Sequence, residues 1–290
     1  MNNSNGKSDY ARNIELFDVK NLTPENIEYM MQVIREYFTS TFPVKPELLN
    51  EILGHTKIVD DETFKKALEE SGRVVEDVDL KYGFYDKKSN IGYIDQDKHH
   101  TAGELFVTLF HESLHAVSYA AGAGFRGEFA LPVSYDDLEQ RVAMERGLIA
   151  LIEGTTHYIT LKNVIGDMGF EGTENMFRYK AERSIMSRIW EAFPEEAMYR
   201  AYFVTPIEEL RRYFDMTVAS DDKREEIKAD ASKTSGQFAK FLVDIGLATD
   251  RAKKLLESGI EDEEASTKIY NDIMRAVEYF LACQKKMTGQ

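Results

Sequence analysis

The stretch GELFVTLFHESLHAVSYAAG, Gly103 to Gly122, is apolar on almost every side, yet two histidines and a glutamate sit at its centre. A helix of that composition belongs inside a protein, where an unpaired carboxylate is costly and even a neutral imidazole needs a partner. The 290 residues suffice for such an interior, as one large domain or two small ones. Thr101 and Glu104 have capping-box spacing, so the helix is predicted to run from Thr101 to Ala121. Within it Thr108, His111, His115 and Tyr119 recur every three or four residues and form one polar line, with Glu112 beside it. Something must meet that stripe.

A zinc ion is the economical partner. His111-Glu112-x-x-His115 is an HExxH pattern. One helical turn sets both imidazoles on the same side, at the separation two ligands of a tetrahedral ion require, while the glutamate between them reaches a water on that ion. Zinc lowers the pKa of such a water toward ~7 and polarises a carbonyl, so Glu112 is the candidate general base. A catalytic zinc also needs a third protein donor. The glycine and histidine that a metzincin carries downstream are absent, because Ser118 and Ala121 hold those positions. LIALIEGTTHYIT, Leu148 to Thr160, is a second apolar helical segment, interrupted by Glu153, Thr156 and His157. Glu153 is the leading candidate for the third ligand, with His157 and Glu145 as alternatives.

These residues resemble the gluzincin metallopeptidases, in which HExxH on one helix is completed by a glutamate on the next. EGTTHYIT, Glu153 to Thr160, is similar to the Glu-Gly-x-Thr-x-Tyr-x-Thr form of that second helix in a number of bacterial members. The likeness covers about Leu80 to Ile165 and extends more weakly to about Met216. It implies His111, His115 and Glu153 as zinc ligands, with Glu112 as general base and then proton shuttle. It implies an α+β, mostly helical fold: a zincin-like core with a small sheet or hairpin before the active-site helix, followed by a helical C-terminal part. In such folds a strand preceding that helix edges the cleft, and a peptide or protein substrate would align along NIGYID, Asn90 to Asp95, through main-chain hydrogen bonds. An oxyanion donor is expected as well, from among Tyr158, Arg178, Tyr179 and Tyr202.

Elsewhere the chain reads as elements and little more. Residues 1–13 read as a disordered tail and Ile14 to Val19 as a short strand. Thr23-Pro24-Glu25 marks the start of a helix to about Ser40, and shorter helices follow from Pro46 and Asp60. From Asp79 to Gln96 aromatic and aliphatic residues flank a polar turn at Asp86 to Asn90, the pattern of a β-hairpin. After the central helix, further helices are predicted at Ser134 to about Gly166, Thr173 to Ala192, Pro206 to Phe214, Asp221 to Ile245, and Glu261 to about Lys285. The expected division is a tail (1–13), a mainly helical part (14–78), the catalytic core (79–216) and a C-terminal helical part (217–290) packed on the same domain. His99 and His100 are expected to be exposed in a polar loop, and His55 to end a helix beside Gly54. The lone Cys283 cannot form an internal disulfide.

The charge of −15, from 51 acidic against 36 basic residues, repels phosphate backbones and anionic lipid, so neither nucleic acid nor membrane is an expected partner. The polar start MNNSNGKSDYARN and the lack of a long apolar run suggest a cytoplasmic protein, or one exported without a cleaved signal peptide. Oligomeric state is not legible. Zinc-dependent peptide-bond hydrolysis is the leading expectation. The alternatives are a zinc-bearing binding or sensor module without turnover, and a helical interaction protein whose histidines are core residues.

Overall fold

The computed structural model describes residues 8–72, 82–86, 89–120, 138–170, 180–191, 195–204, 237–258, 267–269 and 271. They are mostly helical with one small sheet. The chain forms two compact units, Met1–Ala121 with Ile159–Phe177, and Gly122–Tyr158 with Arg178–Gln290. The expected division at residues 13, 78 and 216 differs, and the stretch expected as one catalytic core contributes to both units. Periodicity marks where elements lie, not which of them share a core.

The first unit opens with α1 (Asp9–Glu15), capped by Ser8, whose hydroxyl accepts from the Ala11 N–H and donates to the Met168 carbonyl at 2.8 Å. Two expectations are corrected here. The tail expected to Asn13 is helical from Asp9, and the strand expected at Ile14 to Val19 is the end of α1 and a 3-10 turn, Val19–Asn21. Ala11 and Ile14, three apart, are buried, whereas Leu16 is 83% exposed, so helical spacing and not alternation faces the core. α2 (Pro24–Thr41) begins where Thr-Pro-Glu predicts, with Thr23 and Asn26 each accepting from the other's backbone N–H. α3 (Pro46–Gly54) ends at His55 as expected.

The sheet follows. β1 (Thr56–Val59), α4 (Asp61–Glu70), β2 (Gly83–Asp86) and β3 (Ile91–Asp95) give the strand order β1-β3-β2, with β1 parallel and β2 antiparallel to β3. The predicted hairpin is β2 and β3. Its turn is closed by Asn90 at φ 56°, which accepts from Tyr85 and donates to His55 Nδ1 at 3.2 Å. β1 is not anticipated by the sequence, because four residues between two helices carry too little periodicity. The strand expected to align a substrate, Asn90 to Asp95, is the middle one. Gly92 to Asp95 pair with β1 and Ile91 to Ile94 with β2, so its backbone is engaged on both sides and no peptide can add to it.

α5 (Ala102–Ala120) packs on α1, α3, β2 and β3. Phe106 stacks on Phe170 and Phe110 meets Phe38 edge-on, both at centroid distances of 4.9 Å. Each fully buried ring contributes roughly 1.5–3 kcal/mol. The central helix is therefore held chiefly by its apolar sides.

One continuous helical run then comprises α6 (Leu138–Ile149), a π turn (Ala150–Gly154), α7 (Thr155–Thr160) and a second π turn (Leu161–Asp167). The second unit adds α8 (Lys180–Trp190), α9 (Glu195–Phe203) and α10 (Gln237–Ser258). The helix expected to stop at Ile245 continues through Gly246 to Ser258. A Cβ on Gly246 would fall 1.8 Å from the Ala143 carbonyl oxygen, and one on Gly147 would fall 1.8 Å from the Leu242 carbonyl oxygen. These glycines serve the close crossing of α6 and α10, not a helix end. The helix expected at Pro206 to Phe214, Cys283 and most of Glu261 to Lys285 lie outside the described residues. No described helix is long and apolar enough to cross a membrane.

Candidate metal centre

The start of α5 sets the register of its polar line. The Glu104 carboxylate accepts from the N–H groups of His100 and Thr101 at 2.7 and 3.3 Å, and the Thr101 hydroxyl accepts from Glu104 N–H at 3.1 Å. Two turns on, His111 is buried while Glu112 and His115 are half-buried. The Nε2 atoms of His111 and His115 are 3.1 Å apart, with the rings at 82° to each other. Two nitrogens that share a tetrahedral ion at ~2.0–2.1 Å lie about 3.3 Å apart, so the pair fits zinc. The Thr160 hydroxyl lies 3.4 Å from His111 Nδ1. With Nδ1–H donating to Thr160, His111 presents an Nε2 lone pair to a cation.

Glu153 and His157 occupy the second helical run, one in the first π turn and the other in α7. A carboxylate oxygen of Glu153 and a ring nitrogen of His157 lie within 4.8 Å of each other. Their neighbours hold this stretch of helix in place. Gly154 has no room for a side chain, because a Cβ would sit 2.6 Å from the Glu182 carbonyl oxygen of α8. Trp190 Nε1 donates to the Thr155 hydroxyl at 3.0 Å. Thr156 donates to the Ile152 carbonyl at 2.8 Å and accepts from the Tyr202 hydroxyl at 2.7 Å. Tyr202, expected among the oxyanion donors, is fully buried and serves as that support. Tyr158 is half-buried, and Arg178 and Tyr179 lie outside the described residues. Glu145, an alternative ligand, is exposed and pairs with Arg141 at 3.2 Å, which removes it from the donor set.

His99 corrects another expectation. It is fully buried, with Nδ1 donating to the Asp95 carbonyl at 2.7 Å and Nε2 accepting from the Thr108 hydroxyl at 2.8 Å. Burial pushes its pKa down to about 4, partly opposed by its bond to the Asp95 carbonyl and by the Glu104 charge. The neutral ring therefore ties the end of β3 to the polar line of α5. His100, by contrast, is exposed as expected.

Thr160, Gly154 and Thr156 are visible in EGTTHYIT as parts of a pattern, but their supporting roles are not. Gly83 carries no sequence signal at all. Comparison with family models, curated protein sequences and solved structures finds no match to this chain.

Proposed function

We propose that this protein hydrolyses peptide bonds with a zinc ion held by His111, His115 and Glu153, and with Glu112 as general base. The observation that carries the reading is the 3.1 Å separation of two imidazole nitrogens on a helix whose other faces are packed with apolar side chains. Neutral imidazoles and a carboxylate are the donor types zinc takes. When bound, the ion supplies Lewis acidity, lowering the pKa of a water toward ~7 and polarising the scissile carbonyl.

Glu112 then has a defined task. It takes a proton from the attacking water as the new C–O bond forms, and gives a proton to the leaving amine as the C–N bond breaks. Thr160 keeps the His111 ring turned, by accepting from its Nδ1–H. Gly83 of β2 lies against the side chain of Glu112, so β2 runs past the proposed base.

Glu112→Gln in the zinc-loaded protein tests this reading, since an amide keeps the shape and cannot take the proton. Cleavage of a peptide library should fall by at least ~100-fold in kcat with zinc content unchanged. Wild-type turnover in that variant refutes the assignment. A second reading has its own support: if His157 binds alongside Glu153, four protein donors close the ion and describe a sensor or structural site without turnover. A wild-type protein that holds zinc and cuts no peptide favours it.

A further inference from the structure

We infer that Gly83 is a positioning residue for Glu112: the missing Cβ lets β2 lie against the stem of the glutamate and so sets where its carboxylate points. The inference rests on the reading of Glu112 as general base. Backbone conformation does not explain this glycine, because the glycines at positive φ among the described residues are Gly72 and Gly169. Space explains it. A Cβ on Gly83 would stand 2.9 Å from Glu112 Cγ, 3.0 Å from Ile94 Cδ1 and 3.1 Å from Thr108 Cγ2.

The three neighbours differ in their freedom to yield. Ile94 is fully buried and is the cross-strand partner of Gly83. Thr108 is tied to the buried His99, donating its hydroxyl proton to Nε2 at 2.8 Å. Glu112 is half-buried on the face of α5 that meets β2, and it is the side chain with a rotamer to change. An added methyl therefore displaces Glu112 first. The stem contact also works in the native chain, since a strand backbone laid against Cγ removes rotamers that an open helix surface would allow.

The test compares Gly83→Ala in the wild-type and Glu112→Ala backgrounds. In the wild type, Gly83→Ala should lower Tm by several degrees, lower kcat at least ~10-fold, and leave KM and zinc content within about twofold. In the Glu112→Ala background, which lacks Cγ, the same substitution should cost less than about half of that Tm loss. An equal Tm loss in both backgrounds, or an unchanged kcat in Gly83→Ala, overturns the inference. Should Gly83→Ala fail to fold alone, folding of the double variant supports it, and failure of both assigns the clash to Ile94 or Thr108 and overturns it. A wild-type protein without zinc or turnover sinks the hydrolase reading alone, and the melting comparison then decides by itself whether Gly83 acts on Glu112.

Discussion

Glu153 and His157 stand one helical turn apart with donor atoms within 4.8 Å, and the proposed function gives only Glu153 to the ion. One carboxylate with two neutral imidazoles leaves a net charge of +1, whereas three imidazoles leave +2 and acidify a water differently. Glu153→Ala should therefore lose more than ~100-fold in zinc affinity, and His157→Ala only the ~10- to 100-fold of a supporting residue. Competition with a chromophoric chelator reads both, and the reverse order would make His157 the ligand. At His99 the prediction concerns pH. Its folded pKa of about 4 lies below the unfolded value near 6.5, so the unfolded chain binds the extra proton. Its contribution is complete above pH 6.5 and declines as pH falls toward 4. Glu104 opposes this shift and Lys20 and His100 reinforce it. Urea unfolding should show about 2 kcal/mol less stability at pH 5 than at pH 7 from this residue, and His99→Gln should flatten that slope. The HExxH residues are legible in the sequence because their spacing is their geometry. His99 is not, because a polar loop sequence says nothing about which side chain turns inward.

The same contrast holds between elements. Caps are local, so Thr23, Asp60 and the Thr101–Glu104 pair mark their helices to within a residue or so. β1 depends on a partner distant in sequence, β3, and leaves no local trace. Gly246 is of the same kind: its use emerges only once α6 lies across it. Gly246→Ala should destabilise by ~3 kcal/mol or more, since the obstacle at 1.8 Å is a backbone carbonyl that cannot rotate aside. Gly166, where an added methyl would meet nothing within 4 Å, provides the control. Gly166→Ala should be neutral or gain up to ~1 kcal/mol through the unfolded chain. Denaturant unfolding of the two variants checks both, and equal losses would contradict the close crossing.

At the scale of the molecule, composition and periodicity point to a mostly helical α+β chain, and the described residues agree. The partition into units is out of their reach, because the chain returns at Ile159–Phe177 to the unit it left after Ala121. The substrate strand is misplaced for a related reason: a hairpin reveals two strands, but only a third shows which of them is the middle. An ion bound by the folded chain alone should stabilise it by ~4 kcal/mol at a thousandfold excess over Kd, so chelation should lower Tm. The decisive quantity is zinc per chain, read by plasma mass spectrometry on protein purified without a histidine tag. One zinc is expected in the wild type and none in His111→Ala or His115→Ala; a metal-free wild type, or variants that keep their zinc, would contradict the metal centre.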